Sequence, residues 1–445
     1  MSSLHDFFPE NFIWGTGVSA YQVEGAHTKG GKGLSIWDEF AQTKGKIKKK
    51  EHAEVACDFY HRYEEDILLL KELGIKHFRF SLAWARILPF GTEYINPQGI
   101  DFYNRVINRC LELDITPWIT LYHWDLPIVL EEKGGWTNRE IITWFSEYVE
   151  VCANHFGDRV KNWMVMNEPL AFTGAGYFLG IHAPGRKGLR NFLPAAHHAT
   201  ICQAEGGRIL RKLLPDAHIG TTISFSSIDP LNDTEKDKKA AQRADVIYNR
   251  LFIEPLLGLG YPSQDLKLIA KIEKYMHPGD EELLTFDFDF IGVQTYTREV
   301  VKYAWYVPFI KASLVKAEKR NAPLTAMGWE IYPESIYAIL KKLGAYSNIP
   351  KLIVTENGAA FNDKLLDGVV ADDYRIHFLK NHIAQVARAR KEGVKVEGYF
   401  VWSFLDNFEW AEGYDPRFGL VYVDFETQER VVKNSGKWYG EFAGR

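Results

Sequence analysis

Short apolar runs rich in β-branched and aromatic residues recur along the whole chain, each separated from the next by enough residues for a helix and its loops. They fall at 12–15, 75–80, 115–121, 163–166, 219–223, 288–293, 352–354 and 396–401, which makes eight candidate strands. Between them apolar residues return at intervals of three and four over 53–73, 100–113, 139–156 and 374–392, the period of amphipathic helices. Strict β-then-α alternation implies a parallel sheet. An open doubly wound sheet is the rival architecture, but its nucleotide-binding form wants a GxGxxG turn after the first strand, and the chain has none there. Eight units favour closure into a (β/α)₈ barrel. No linker or composition break divides residues 1–445, so the reading is one α/β barrel domain.

Composition narrows the function without naming it. Of the 445 residues 46% are hydrophobic and 25% charged, as expected of a folded chain with a large core. A net charge of -5 gives no electrostatic reason to expect nucleic acid or an anionic membrane as partner. The thirteen Trp residues suit stacking against sugar faces as well as core packing. The first twelve residues lack the basic start and apolar run of a secretory signal, and no stretch is long enough to span a membrane, which reads as a cytoplasmic protein. Cys57, Cys110, Cys152 and Cys202 lie far apart without CxxC spacing, so neither zinc site nor disulfide framework is expected. His197 and His198 are adjacent on a helix and face different directions; they read as packing or support, and no metal or cofactor is implied. The lysine-rich stretch 44–50 reads as a solvated surface turn.

Barrel enzymes carry their chemistry where the loops converge at the carboxyl ends of the strands. There the chain puts Arg79 after the second run, His123 and Trp124 after the third, and Asn167 and Glu168 after the fourth. Tyr296 follows the sixth run, Glu356 the seventh and Trp402 the eighth, with Glu409 and Trp410 in the last loop. Two carboxylates from opposite sides of a barrel are what flanking a glycosidic bond requires. One must hold a proton for the departing oxygen and the other must be ionised to attack, so their surroundings must differ. Arg79 is the candidate for keeping Glu356 ionised, and Asn167 can offer an uncharged amide to a hydroxyl.

MNEP at 166–169 and TENG at 355–358 resemble the paired signatures of glycoside hydrolase family 1, a group of retaining β-glycosidases. The likeness continues through FPENFIWGTGVSAYQVEG at 8–25, RFSLAWARILP at 79–89, YHWDLP at 122–127 and WSFLDNFEWAEGYDPRFGLVYVDF at 402–425. Six blocks in order carry far more weight than either tetrapeptide. The resemblance implies Glu168 as general acid/base and Glu356 as nucleophile. It implies Gln22, His123, Trp124, Asn167 and Glu409 around the terminal sugar, with Trp402 beneath it. Tyr296 resembles the tyrosine that hydrogen-bonds the nucleophile, Arg79 its charge partner, and Trp329 the residue at the entrance. Trp410 and Phe418 would wall the pocket, and Gln294 would support it.

The chain departs from the family where it reads Gln294-Thr295-Tyr296 in place of Asn-Tyr-Tyr, which lengthens the amide's reach by a methylene. The implied substrate is a small β-glycoside or oligosaccharide with a terminal nonreducing β-D-glucosyl unit, or a galactosyl or fucosyl relative, with transglycosylation left open. A 6-phospho-β-glycosidase is disfavoured because Glu409 stands where phosphate would sit. A non-catalytic binding protein would be expected to lack one of the two carboxylates.

Overall fold

The computed structural model describes residues 4–444. Eight parallel strands, Ile13–Gly17, His77–Ser81, Thr116–Tyr122, Asn162–Asn167, His218–Ser224, Phe290–Gln294, Leu352–Asn357 and Val396–Trp402, pair in chain order, and the first closes on the eighth. The barrel is therefore closed, not doubly wound. Helices such as Pro97–Glu112, Ile141–Phe156 and Asp373–Lys391 cover it with one apolar face inward. The helix expected from residue 53 begins only at Phe59, because Ala56 and Asp58 both have φ of 52°, outside any right-handed helix.

The amino-terminal half of the barrel interior is a dry plug. Trp118, Met164, Phe290, Ile353 and Phe400 point inward from five strands and pack with Ile13. Their rings need room that two strand glycines supply: a Cβ on Gly15 would lie 2.4 Å from the Phe400 ring, and one on Gly220 would lie 2.4 Å from Phe290. One layer up, Arg79 crosses the interior, its Nε donating to Thr120 Oγ1 at 3.0 Å beside Met164 Sδ at 3.1 Å.

Side chains alternate along a strand, so residues two or four beyond the plug should also face inward. Gln294 and Trp402 do so by simple count from Phe290 and Phe400. Glu356 is an odd step beyond Ile353 and Asn167 an odd step beyond Met164. The register shifts between Val354 and Glu356 and between Met164 and Asn167 absorb the difference. Such irregularities re-aim a side chain at the mouth of a barrel.

Two features lay outside the alternating pattern. Ser227–Pro230, Arg298–Tyr303 and Ala312–Leu314 form a small sheet from the long connections after the fifth and sixth strands. Val421–Val423 pairs antiparallel with Arg430–Val432 beyond the eighth.

Candidate active site

A cavity of about 450 Å³ opens at the carboxyl ends of the strands, within the range of small-molecule sites. Glu168 and Glu356 both line it, together with His123, Trp124, Gln294, Tyr296, Trp329, Trp402, Glu409, Trp410 and Phe418. Gln22, Arg79 and Asn167 are fully buried behind this wall and bond to members of it.

The two central carboxylates have unlike surroundings. Glu168 follows the fourth strand with φ of 45°, its N–H held by Thr222 O at 2.9 Å. That left-handed turn, uncommon for a residue with a Cβ, ends the strand and starts the π-helical segment Ala171–Leu179. Burial, then the nearness of Glu356, pushes the Glu168 carboxyl well above the usual range, with Arg79 opposing. Glu356 is also raised by burial, but there Arg79 and the Tyr296 hydroxyl pull against it. Arg79 Nη1 donates to Glu356 Oε1, Tyr296 Oη donates to Oε2 at 2.5 Å, and Gln294 Nε2 donates to Oε1 at 2.7 Å. Arg79 thus lowers Glu356 without cancelling its desolvation. Of the pair, Glu168 is the better place for a shared proton.

Donors also fix the orientation of Asn167. Its Oδ1 accepts from Arg79 Nη2, from Gln294 Nε2 at 2.6 Å and from Thr222 Oγ1 at 2.9 Å. Its Nδ2 must then be the donor facing His123 Nε2, 3.0 Å away. An accepting Nε2 leaves the proton of a neutral imidazole on Nδ1, and burial with the Arg79 charge holds His123 neutral, well below its usual pKa. His123 Nδ1 is buried without a protein partner, a donor left unpaired in the cavity wall. Gln294, the departure from the family pattern, uses its added reach to bridge Asn167 and Glu356.

Gln22 spends its amide on the last loop. Its Nε2 meets Asn407 Oδ1 at 3.0 Å, Phe408 O at 2.9 Å and Glu409 Oε2 at 3.4 Å, while its Oε1 accepts from Ser19 Oγ at 2.6 Å. Burial and Glu356 push Glu409 up to about 8, against the Gln22 bond. Flat rings make the walls: Trp124 lies 4.5 Å from Trp410 and Tyr296 5.4 Å from Trp329, centroid to centroid. Trp402, Phe418 and Ala360 form one apolar cluster with Tyr296, Met327 and Trp329. Trp124, with φ of 78°, and Trp410, with φ of 50°, hold left-handed backbone beside Glu168, the kind of strain that collects at functional sites.

His182, Glu299 and Glu412 line the cavity too, and sequence reasoning missed all three. They sit in the long connections after the fourth, sixth and eighth strands, Glu299 on the small-sheet strand Arg298–Tyr303, and that position was the only available signal. The stretch 44–50 is largely an exposed surface turn, as expected, and Lys48 Nζ lies 3.6 Å from Glu412 at the rim and 3.4 Å from Asp415. His197 and His198 face apart: His197 Nε2 meets Asp280 Oδ2 at 2.9 Å and His198 Nδ1 meets Trp136 O at 2.9 Å. The four cysteines are free and buried. Among the described residues no helix is long and apolar enough to cross a membrane.

The model of glycosyl hydrolase family 1 matches residues 4–445. Beta-glucosidase A of Thermotoga maritima is 45% identical over 434 residues, covering 97% of this chain and 96% of the relative. A beta-glucosidase of an Agrobacterium species is 36% identical, covering 98% and 95%. Among solved structures, a family 1 β-glucosidase from Thermotoga maritima superposes with a TM-score of 0.94 at 44% identity, covering 98% of each chain. The Thermotoga maritima enzyme in complex with deoxynojirimycin superposes with a TM-score of 0.95, at 44% identity and 98% coverage of both chains.

Proposed function

The chain belongs to glycosyl hydrolase family 1, and from that premise we propose that it removes terminal nonreducing β-D-glucosyl residues by double displacement with net retention. The relatives named as β-glucosidases support the activity. The observation that carries the mechanism is the asymmetry of two buried carboxylates in one cavity: Glu356 is bonded by Arg79, Tyr296 and Gln294, whereas burial and the nearness of Glu356 push the Glu168 carboxyl well above its usual range.

In the first step Glu356 attacks the anomeric carbon while Glu168 gives its proton to the departing oxygen, which leaves a glycosyl ester on Glu356. In the second Glu168, now a base, takes a proton from water as that water attacks the same carbon from the other side, and Glu356 is released. The Tyr296 hydroxyl and Arg79 hold the nucleophile's oxygens, so little reorganisation is needed at the moment of attack. Neutral His123 and the carboxyl of Glu409 are placed for hydroxyls of the glycone, and the Trp402 ring for its apolar face.

No Lys or Arg occurs among the described residues lining the cavity, so a 6-phosphate would find no counter-charge there. This favours an unphosphorylated glycone. Acceptance of galactosides and fucosides belongs to the same proposal, to be read from the corresponding aryl glycosides.

The test is proton NMR of the first product released from an aryl β-D-glucoside. β-Glucose appearing before mutarotation is the expected result, and α-glucose first would contradict the mechanism. A crystal structure should place the two carboxyls about 5 to 5.5 Å apart, the spacing for direct attack.

A further inference from the structure

Glu409, Trp410 and Phe418 reach the cavity from the last loop, and that loop is held from behind by charges the reaction does not use. Three cations, Arg375, Arg417 and Lys433, meet three carboxylates, Asp363, Asp372 and Asp406. Apart from Arg417, none of the six side chains is more than 3% exposed. None of them lines the cavity.

Lys433 joins two loops to the carboxyl-terminal segment. Its Nζ donates to Asp406 Oδ1 at 2.7 Å in the last loop and to Asp363 Oδ2 in the loop after the seventh strand. Its backbone N–H donates to Leu420 O at 3.0 Å, and the next N–H, of Asn434, donates to Val370 O at 3.1 Å. The same two loops are therefore each held by side chain and by backbone. Arg375 adds a further tie, donating to Asp372, to Asp363 Oδ2 at 2.8 Å and to Arg417 O at 2.7 Å.

Asp406 closes the last loop on itself. Its Oδ1 accepts from Gly419 N at 2.9 Å and its Oδ2 from Arg417 Nη1 at 2.7 Å, which brings the far end of the loop against its start. The approach is tight, since a Cβ on Gly419 would lie 2.1 Å from Asp406 N. One residue on, Asn407 Oδ1 accepts from Gln22 Nε2, the same amide that reaches Glu409 Oε2. Phe418, just before Gly419, accepts at its carbonyl from Ser403 N at 3.3 Å. Six buried charges are a poor way to stabilise such a corner, because desolvation takes back much of what ion pairs give and apolar side chains of similar volume often do better. What they add is direction: a loop arrangement other than this one would leave a buried charge unpaired.

We infer that Lys433 and Asp406 are positioning residues for the glycone site, through which the carboxyl-terminal segment fixes the last loop so that Glu409 meets the sugar. The inference rests on the β-glucosidase reading and adds to it residues that touch no substrate.

Lys433→Met and, separately, the isosteric Asp406→Asn test it, each made in wild-type and in Glu409→Ala protein and assayed per folded molecule on an aryl β-D-glucoside. If they act through Glu409, each should lower kcat/KM about tenfold in wild type and by less than about twofold where Glu409 is already gone. Equal factors in the two backgrounds, or no loss in wild type, overturn the inference, because a general loosening of the fold would not tell the backgrounds apart. If Lys433→Met does not fold, Asp406→Asn carries the same comparison. Hydrogen exchange needs no substrate, so it decides the matter even where no glucoside is turned over and the catalytic proposal fails. Amides of Asp406 and Gly419 should exchange faster in the variants, while the strand Thr116–Tyr122 keeps its protection. Unchanged exchange in the last loop, or an equal loss of protection across the barrel, overturns the inference.

Discussion

The two ends of the barrel interior are built from the same strands by opposite rules. At the amino-terminal end Trp118, Met164, Phe290, Ile353 and Phe400 fill the space with apolar surface, and two glycines make room for their rings. At the mouth, a few residues further along those strands, Asn167, Gln294 and Glu356 meet Arg79 in a buried polar network. The plug follows simple alternation, whereas the mouth needs shifts of register to bring Asn167 and Glu356 inward. Burial stabilises the first and penalises the second, since a carboxylate out of water costs free energy that only partners offset. The comparison teaches where function is placed: on a rigid floor, in groups the fold itself would not choose.

The largest effect should come from Glu356→Ala. Without a nucleophile, turnover of every glycoside should fall on the order of 10⁶-fold whatever the leaving group, as for loss of a nucleophile elsewhere. Near wild-type rates on an activated aryl glucoside would break the assignment. The contrast between the two ends is sharpest in a pair of substitutions. Phe400→Ala should cost about 3–5 kcal/mol of stability, seen as a lowered denaturant midpoint, with turnover per folded molecule kept. Glu168→Gln should do the reverse, losing roughly 10²–10⁴ in rate on poor leaving groups with a thermal midpoint unchanged or raised. If Phe400→Ala abolished catalysis in folded protein, floor and mouth would not be separable.

A smaller loss is expected for Glu409→Ala, whose carboxyl offers hydrogen bonds to sugar hydroxyls: kcat/KM should fall about 10- to 10²-fold, equivalent to about 1.5–3 kcal/mol. Unchanged glucoside turnover would remove Glu409 from the glycone site. The subtlest expectation is the pH profile of kcat/KM. Glu356 must be ionised, so activity rises with pH through its raised pKa; Glu168 must be protonated, so activity falls with pH through its own, higher one. Both limbs should lie above the ordinary carboxylate range. Glu168→Gln should lose the basic limb on a nitrophenyl glucoside, and a limb that persisted would have to belong to another group.

Much of this was legible in the chain because hydrophobic runs survive any detail of packing. All eight barrel strands overlap their predicted runs, with ends displaced by a few residues where polar groups such as Thr355 and Glu356 still pair through the backbone. The strand-end rule brought His123, Glu168, Tyr296 and Trp402 to one cavity. Register shifts are invisible to alternation, so Glu356 was found through its place at a strand end and its tetrapeptide, and not through its parity. The partners of Gln22 and Gln294 depend on side-chain reach across distant strands, and so do the roles of His182 and Glu299 at the wall.

The central claim is that Glu168 handles the proton and Glu356 forms the covalent bond, and NMR of azide-rescued products tests it most directly. In Glu168→Ala, azide should attack the glycosyl-enzyme and yield the β-glucosyl azide. In Glu356→Ala, azide should take the place of the missing nucleophile and yield the α-glucosyl azide. The same anomer from both variants would contradict the account.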